Sequence, residues 1–371
     1  MSDGLPPDPV LLDAVVVGAG QAGLSASWHL RRAGVEHLLL DAGEAPGGAW
    51  RHRWPTLTMS TVNGVHDLPG APMPDVDPAA PAAEAVSAYF AAYEREQQLP
   101  VVRPVAVRTV RRGEGPLSGR LVVEAADGRR WAARAVLSAT GTWTRPFWPR
   151  YPGQETFAGR QLHTADYRGP GDLAGASVVV VGGGISAVQL LVEVAAVART
   201  TWVTRRPPVF RDDPFDADAG RRAVALVEER VRAGLPPGSV VSVTGLPWTP
   251  ALREAAARGV LDRLPVMDRI VPDGVAWDAP VGPGAVQHVA ADALLWCTGF
   301  RSALDHLAPL HLREPGGGIR VEGTRAVREP RLHLLGHGPS ASTVGANRAG
   351  REAVRAVRAL LAEPPSEPVD R

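Results

Sequence analysis

The chain has 371 residues, and all 40 of its Lys+Arg positions are arginine against 39 Asp+Glu, a formal net charge of +1. Without lysine, Schiff-base chemistry and the phosphate-loop lysine of nucleoside triphosphatases are excluded, because arginine does not give up its proton. The balanced charge carries no nucleic-acid or anionic-membrane footprint, and the single cysteine, Cys297, excludes an internal disulfide, a Cys-x-x-Cys redox pair and a cysteine-built zinc site.

A β-branched apolar run over 11–17 stops at Gly18 and predicts a buried parallel strand. Residues 21–32 predict a helix closed by Gly34, and 36–40 predict a second strand ending at Asp41, together a unit of βαβ size. The stretch 46–81 reads as loop, and 82–99 as an amphipathic helix with Tyr89, Phe90 and Tyr93 on one side. Strands over 101–110, 121–124 and 131–137 are expected to form an antiparallel ribbon packed on the first sheet, with a turn at Asp127-Gly128. After a proline-rich crossing over 146–170 the pattern restarts with a strand at 177–181, a helix at 185–198 and a strand at 201–203. Helices at 219–233 and 249–258 are expected within an otherwise irregular segment, 207–283. Strands at 293–297 and 332–335, a last helix at 343–361 and a frayed tail complete the chain. No apolar run approaches the roughly 18 residues that span a bilayer, and residues 1–9 show no signal pattern. A soluble, cytoplasmic protein of two or three domains is the expectation.

Gly18-Ala19-Gly20-Gln21-Ala22-Gly23 is a GxGxxG that follows a strand, opens a helix and is answered by Asp41 at the end of the next strand. This context marks a dinucleotide site: the glycines let a pyrophosphate approach backbone N–H groups at a helix amino end, and the acid accepts from a ribose hydroxyl. The bland alternative for Asp41 is a solvated strand-end carboxylate. Gly182-Gly183-Gly184-Ile185-Ser186-Ala187 is a second fingerprint, followed at its strand end by Thr204-Arg205-Arg206 instead of an acid. An arginine fork suits a 2′-phosphate, which favours NADP over NAD, the alternative being two solvated arginines. Two such units imply a flavin and a nicotinamide exchanging hydride. Two apolar strands closing in Thr140-Gly141 and Thr298-Gly299 fit chain that passes between domains or beside a cofactor.

Phe157-Ala158-Gly159-Arg160-Gln161-Leu162-His163-Thr164-Ala165-Asp166-Tyr167 resembles the FxGxxxHxxxY/F signature of the flavin-containing monooxygenases, and Gly47-Gly48-Ala49-Trp50 resembles the GGxW that lies along their flavin. The resemblance runs from Asp13 to about Leu361. It implies an α/β, glutathione-reductase-like flavoprotein with two Rossmann-like dinucleotide-binding domains, parallel sheets and an antiparallel ribbon insertion. Residues 1–168 with 290–371 would bind FAD, and 169–289, with an insertion at 207–283, would bind NADP. By the same resemblance the loop Gly18, Ala19, Gly20, Gln21, Ala22 and Gly23, with Asp41, would hold the FAD adenylate half, and the backbone near Val107 would lie by the adenine. Gly48, Trp50 and the Met59-Ser60 strand would line the flavin, while Gly336 and the helix start at Val344 would approach its ribityl chain and pyrimidine edge. Gly182, Gly184, Ile185, Ser186, Arg205 and Arg206 would take NADPH.

The resemblance implies hydride transfer from NADPH to FAD and oxygenation of a small N-, S- or carbonyl-containing substrate by a C4a-hydroperoxyflavin, with Tyr167 rather than tryptophan leaning toward heteroatoms. Partners would be that substrate and O2, with no nucleic acid, membrane or metal, and a homodimer as the candidate assembly. The family's peroxyflavin-supporting asparagine falls near Ser60 and Asn63, and its Gly-Asp is replaced by Gly336-His337-Gly338. His163 reads as a structural link rather than a base. An NAD(P)H-dependent flavin reductase or oxidase without oxygen insertion, and a redox-sensing flavoprotein, remain alternatives.

Overall fold

The computed structural model describes residues 8–62, 64–212, 217–237 and 245–363. Asn63 and the tail 364–371 therefore lie outside the described residues. β1 (Val10–Val17), α1 (Gln21–Arg32) and β2 (His37–Leu40) form the first βαβ unit, and α2 (Ala82–Glu96) follows the loop-rich stretch. Tyr89 and Tyr93 explain how that stretch is fixed. The Tyr89 hydroxyl receives the Leu68 N–H at 2.6 Å and donates to Ala71 O, and the Tyr93 hydroxyl donates to Pro69 O.

The strand expected over 101–110 is two strands, β3 (Val101–Val102) and β4 (Val107–Arg112), because Pro104 has no N–H to give a ladder. β3 pairs parallel to β2, whereas β4 pairs antiparallel to β5 (Leu121–Ala125). The third ribbon strand, β6 (Arg130–Ser138), does more than pack on the first sheet. It is antiparallel to β5 on one side and parallel to β1 on the other, with Val16 opposite Leu137. β1 and β6 are buried on both faces at their carboxyl ends, which is why both read as continuous apolar runs.

β7 (Arg160–His163), β8 (Ser177–Val181), α3 (Ile185–Val194) and β9 (Arg199–Thr204) open the second unit, followed by β10 (Phe210–Arg211), α4 (Ala217–Arg232), β11 (Leu246–Pro247) and α5 (Pro250–Ala257). β12 (Arg263–Pro265), β13 (Arg269–Val271), β14 (Gly274–Val281), β15 (Val286–Ala290) and β16 (Ala293–Trp296) come next. The second sheet is parallel throughout, in the order β12-β9-β8-β16-β7. It thus takes in strands from both sides of residues 169–289. The segment expected to be irregular beyond its helices contains β12 and the antiparallel β13-β14-β15 sheet, whose Val275 and Trp277 pack against Val179 and Val181. β17 (Val321–Glu322), β18 (Arg325–Ala326) and β19 (Glu329–Leu334) return to the first sheet, and β19 lies parallel to β6.

The final helix, α6 (Thr343–Ala362), packs on α1 at close range. A Cβ on Gly350 would lie 2.8 Å from Ser25 Oγ and 3.0 Å from the Ala26 amide nitrogen, so only glycine allows this approach. One apolar core lies between the first sheet and α1, α2 and α6, another on its opposite face, and two more cover the faces of the second sheet. Among the described residues no helix is long and apolar enough to cross a membrane, and no group of three His, Cys, Asp or Glu side chains could hold a metal ion.

Candidate active site

At the first loop, Gly18 has φ +101° and a Cβ there would stand 2.5 Å from Ala139 O. Gly23 is tighter, since a Cβ would lie 1.8 Å from Gly18 O, so α1 seats directly on the turn. Gly20 is different: nothing lies within 4 Å of its Cβ position, and it caps the amino end of α1. The loop is closed from behind and open in front, which is the shape a pyrophosphate needs at a helix amino end.

Asp41 is buried and faces this loop. Its Oδ2 accepts the Ala19 N–H at 2.6 Å and its Oδ1 accepts the Gly43 N–H at 2.8 Å. Arg103 Nε lies 3.7 Å from Oδ1, while its terminal nitrogens bond both oxygens of buried Glu94. Hydrogen bonding to Glu94 raises the Arg103 guanidinium above its ordinary pKa. The sequence missed Arg103 and Glu94, because nothing local marks either as a partner of Asp41. Val107, at the start of β4, stands two residues after Val105, whose N–H bonds Asp41 O at 2.7 Å.

Gln21 Nε2 donates to His66 O and Asn347 Oδ1 at 3.1 Å, while its buried Oε1 has no partner among the described residues. A cleft of about 330 Å³, lined by Val65, His66, Asp67 and Asn347, adjoins it. Gly336 has φ +65° and comes within 3.8 Å of Ala22 Cβ by its own Cβ position. The start of α6, which includes Val344, is capped by Ser342 Oγ on the Gly345 N–H. His337 is turned to Ser302, with Nδ1 3.1 Å from its Oγ, and burial pushes its pKa down to about 4.

Over the first loop, Gly48 is itself left-handed, and a Cβ on it would lie 3.0 Å from Gly20 Cα. Trp50 follows in the same 3₁₀ turn and packs between two of the apolar cores. Met59 does likewise, but Met59-Ser60 is a hydrogen-bonded turn rather than a strand, with a single bridge at Thr58–Pro81. Ser60 is exposed, and its Oγ bonds Thr58 Oγ1 at 2.9 Å. The open face of Gly20, the free Gln21 oxygen and the absence of a side chain at Gly48 form a cradle that fits a dinucleotide.

The second loop repeats the first. Gly182 has φ +140°, and a Cβ on it would stand 2.3 Å from Cys297 O, as Gly18 stands against Ala139. Gly184 caps α3, which begins at Ile185-Ser186, and has open space in front of it. Arg205 and Arg206 are exposed just beyond β9.

The two backing strands run on into segments that pair with each other. Thr140 Oγ1 donates to Ala303 O at 2.7 Å, the Ala303 N–H to Gly141 O at 2.9 Å, Thr298 Oγ1 to Phe147 O at 2.5 Å and the Phe147 N–H to Gly299 O at 2.9 Å. His163 clasps this junction. The Ala165 N–H donates to its Nδ1, so Nε2 carries the proton and donates to Gly299 O at 3.0 Å. Burial lowers its pKa, consistent with a fully buried neutral ring that links domains. In the rest of the FxGxxxHxxxY run, Phe157 and Tyr167 are buried in the two cores of the second sheet, and a Cβ on Gly159 would meet Asp292 O at 2.4 Å.

Two strand-loop-helix units meeting at one paired crossing define a two-dinucleotide oxidoreductase of flavoprotein fold. Residues 15–235 match the pyridine nucleotide-disulphide oxidoreductase family. A flavin-containing monooxygenase from Stenotrophomonas maltophilia is 42% identical, with a TM-score of 0.80 over 95% of this chain and 100% of that one. An indole-3-pyruvate monooxygenase of Oryza sativa subsp. japonica is 31% identical over 48% of this chain and 43% of its own length. The chain spans about half the length of the curated relatives it matches. The protein OTEMO, crystallised in complex with FAD and NADP, shares the fold at 16% identity, with a TM-score of 0.63 over 95% of this chain and 86% of that one. The chain belongs to the pyridine nucleotide-disulphide oxidoreductase family, as a flavin-containing monooxygenase-like member.

Proposed function

We propose that the chain is an FAD- and NADPH-dependent monooxygenase of a small substrate bearing a nucleophilic nitrogen or sulfur, or a carbonyl. The observation that supports this best is the pairing of Gly18 on Ala139 with Gly182 on Cys297, which sets two nucleotide loops against one crossing. When bound, FAD takes hydride from NADPH and activates O2 for transfer of one oxygen atom. The chain's part is to bind, orient and exclude water. In this reading residues 1–168 and 290–371 form the FAD domain and 169–289 the NADPH domain, with β7 and β16 completing the second sheet. The Gly18–Gly23 amides and the amino end of α1 receive the FAD pyrophosphate, and Asp41 fixes that loop while keeping lone pairs for a ribose hydroxyl. Val107 adjoins the adenine, Gly48, Trp50 and Met59 flank the flavin, and Gly336 and Val344 its ribityl side. The amino end of α3, through Gly182, Gly184, Ile185 and Ser186, receives NADPH, with Arg205 and Arg206 on its 2′-phosphate.

A reductase that passes electrons to O2 without inserting oxygen is the second reading. It is favoured by Ser60, whose hydroxyl is engaged by Thr58. The test is stoichiometry. Under nitrogen, NADPH should bleach the flavin absorbance. With air and a panel of amines, sulfides and ketones, at least one substrate should yield oxygenated product at near one per NADPH. Recovery of every NADPH equivalent as hydrogen peroxide across the panel would decide for the second reading.

A further inference from the structure

We propose that Arg53 anchors the carboxylate of a small planar organic acid at the aromatic cluster beside the GGxW turn. That this acid is the substrate rests on the monooxygenase reading above; the anion site itself does not. Arg53 Cζ lies over the Trp50 ring, 5.6 Å from its centroid, and over that of Trp143 at 5.0 Å, so the cation rests against two indole faces. Trp143 in turn stacks on Phe300 at 4.9 Å and lies 6.0 Å from the near-parallel His52 ring. Phe300 meets the edge of His163 at 5.0 Å. These rings come from the GGxW turn, the two crossing segments and the His163 clasp, so the group sits at the domain junction beside the residues that flank the flavin.

Arg53 is half-buried and has no counter-charge among the described residues. Among the described residues it makes no ion pair and no hydrogen bond, although desolvation is strong enough to lower its pKa. Arg103, by contrast, is paired with Glu94 and Asp41, and Arg331 with Glu329. The surroundings add positive charge rather than cancel it. Burial, Arg51 and Arg168 lower the His52 pKa, and among the described residues Arg51 and Arg168 donate only to the backbone oxygens of Ala45, Ala165 and Tyr167. A half-buried cation with no acid beside it gains a charge-assisted partner when an oxyanion arrives. With no hydrogen bond among the described residues, the guanidinium keeps its N–H groups for a bidentate contact, which carboxylate geometry matches. The aromatic walls select a planar body for that acid. An anion could also come from a dinucleotide phosphate, and the experiment separates the two.

Benzoate, its neutral analogue benzamide, and adenosine 2′,5′-bisphosphate are titrated calorimetrically into the purified full chain, and into Arg53→Gln and Arg53→Lys. Benzoate should bind saturably, with benzamide at least about tenfold weaker. Arg53→Gln should weaken benzoate roughly 10- to 100-fold, Arg53→Lys less, and neither should move the bisphosphate. Circular dichroism establishes that each variant is folded, and should Arg53→Gln not fold, the Arg53→Lys series and the benzoate-benzamide comparison on the unaltered chain decide. The proposal is overturned by equal binding of benzamide and benzoate, by no binding of benzoate, by full benzoate affinity in Arg53→Gln, or by loss of bisphosphate binding in that variant, which would assign Arg53 to the dinucleotide. A protein without flavin absorbance would refute the monooxygenase reading and leave this titration intact.

Discussion

The Ala19 amide stands 2.6 Å from Oδ2 of Asp41, so the acid that ends β2 holds the glycine loop that ends β1. With the Gly43 amide on Oδ1 and Arg103 behind, the carboxylate braces the loop from within the protein before any cofactor arrives. Asp41→Ala removes two charge-assisted hydrogen bonds and leaves Arg103 with Glu94 alone. Unfolding in urea should show a loss of about 2–4 kcal/mol, together with a lower flavin content after purification. Asp41→Asn, which keeps one acceptor, should fall between. Unchanged stability in Asp41→Ala would mean that the loop stands without its brace.

The glycines of the first loop divide into two kinds, and substitution should separate them. Gly18→Ala meets Ala139 O in a left-handed backbone and should destabilise the protein itself by about 2–4 kcal/mol, whether or not flavin is present. Gly20→Ala has open space and φ −84°, which alanine adopts freely. Its thermal midpoint without flavin should match that of the unaltered protein, while FAD affinity should fall at least about tenfold, since in the proposed reading the methyl group would stand where the phosphate approaches. Equal melting of both variants in the flavin-free state would contradict this division.

These loops were legible in the sequence because backbone geometry is written locally: a positive φ or a close approach demands glycine at that position. The strands that precede them were legible for a related reason, since burial on both faces admits only an apolar run. What the sequence did not show depends on residues distant along the chain. Nothing near Asp41 announces Arg103, and nothing near Arg53 announces Trp143. The β12 to β15 strands were hidden because Pro265, Pro272 and Pro280 interrupt the alternation that marks a strand. The ribbon's third strand looked like an insertion because its antiparallel neighbour adjoins it in sequence, whereas its parallel partner β1 lies far back in the chain.

Arg205 and Arg206 follow β9 on the exposed rim of the second loop, where Asp41 follows β2 in the first. An acid brace there would repel a 2′-phosphate; two guanidinium groups attract one. Arg205→Ala should raise KM for NADPH by roughly 10- to 100-fold while changing KM for NADH by less than about threefold. Steady-state kinetics with both nucleotides reads this directly. Equal losses for the two would place the 2′-phosphate elsewhere.

Three buried histidines contribute most strongly to the acid limit of the fold, with buried His37 and His163 shifted in the same direction. Burial pushes His306, His333 and His337 down to about 4 from an ordinary 6.5, and their partners are the hydroxyls of Ser138, Thr324 and Ser302. Because the folded values are depressed, the unfolded chain takes up protons first as pH falls through 6.5, and the native chain does so only near 4. Stability from this source is therefore complete above about pH 6.5 and is lost progressively between 6.5 and 4. Three groups that each bind one proton on unfolding give a slope of up to about 4 kcal/mol per pH unit within that window. Urea unfolding at pH 7.5 and 5.5 should show the acid sample markedly weaker. His333→Gln keeps a hydrogen-bonding side chain opposite Thr324 but cannot take up the proton, so it should be less stable than the unaltered protein at pH 7.5 and lose less on going to pH 5.5. Its slope should fall by about 1.4 kcal/mol per pH unit. A slope that stays the same in His333→Gln would show that His333 has no part in the acid sensitivity.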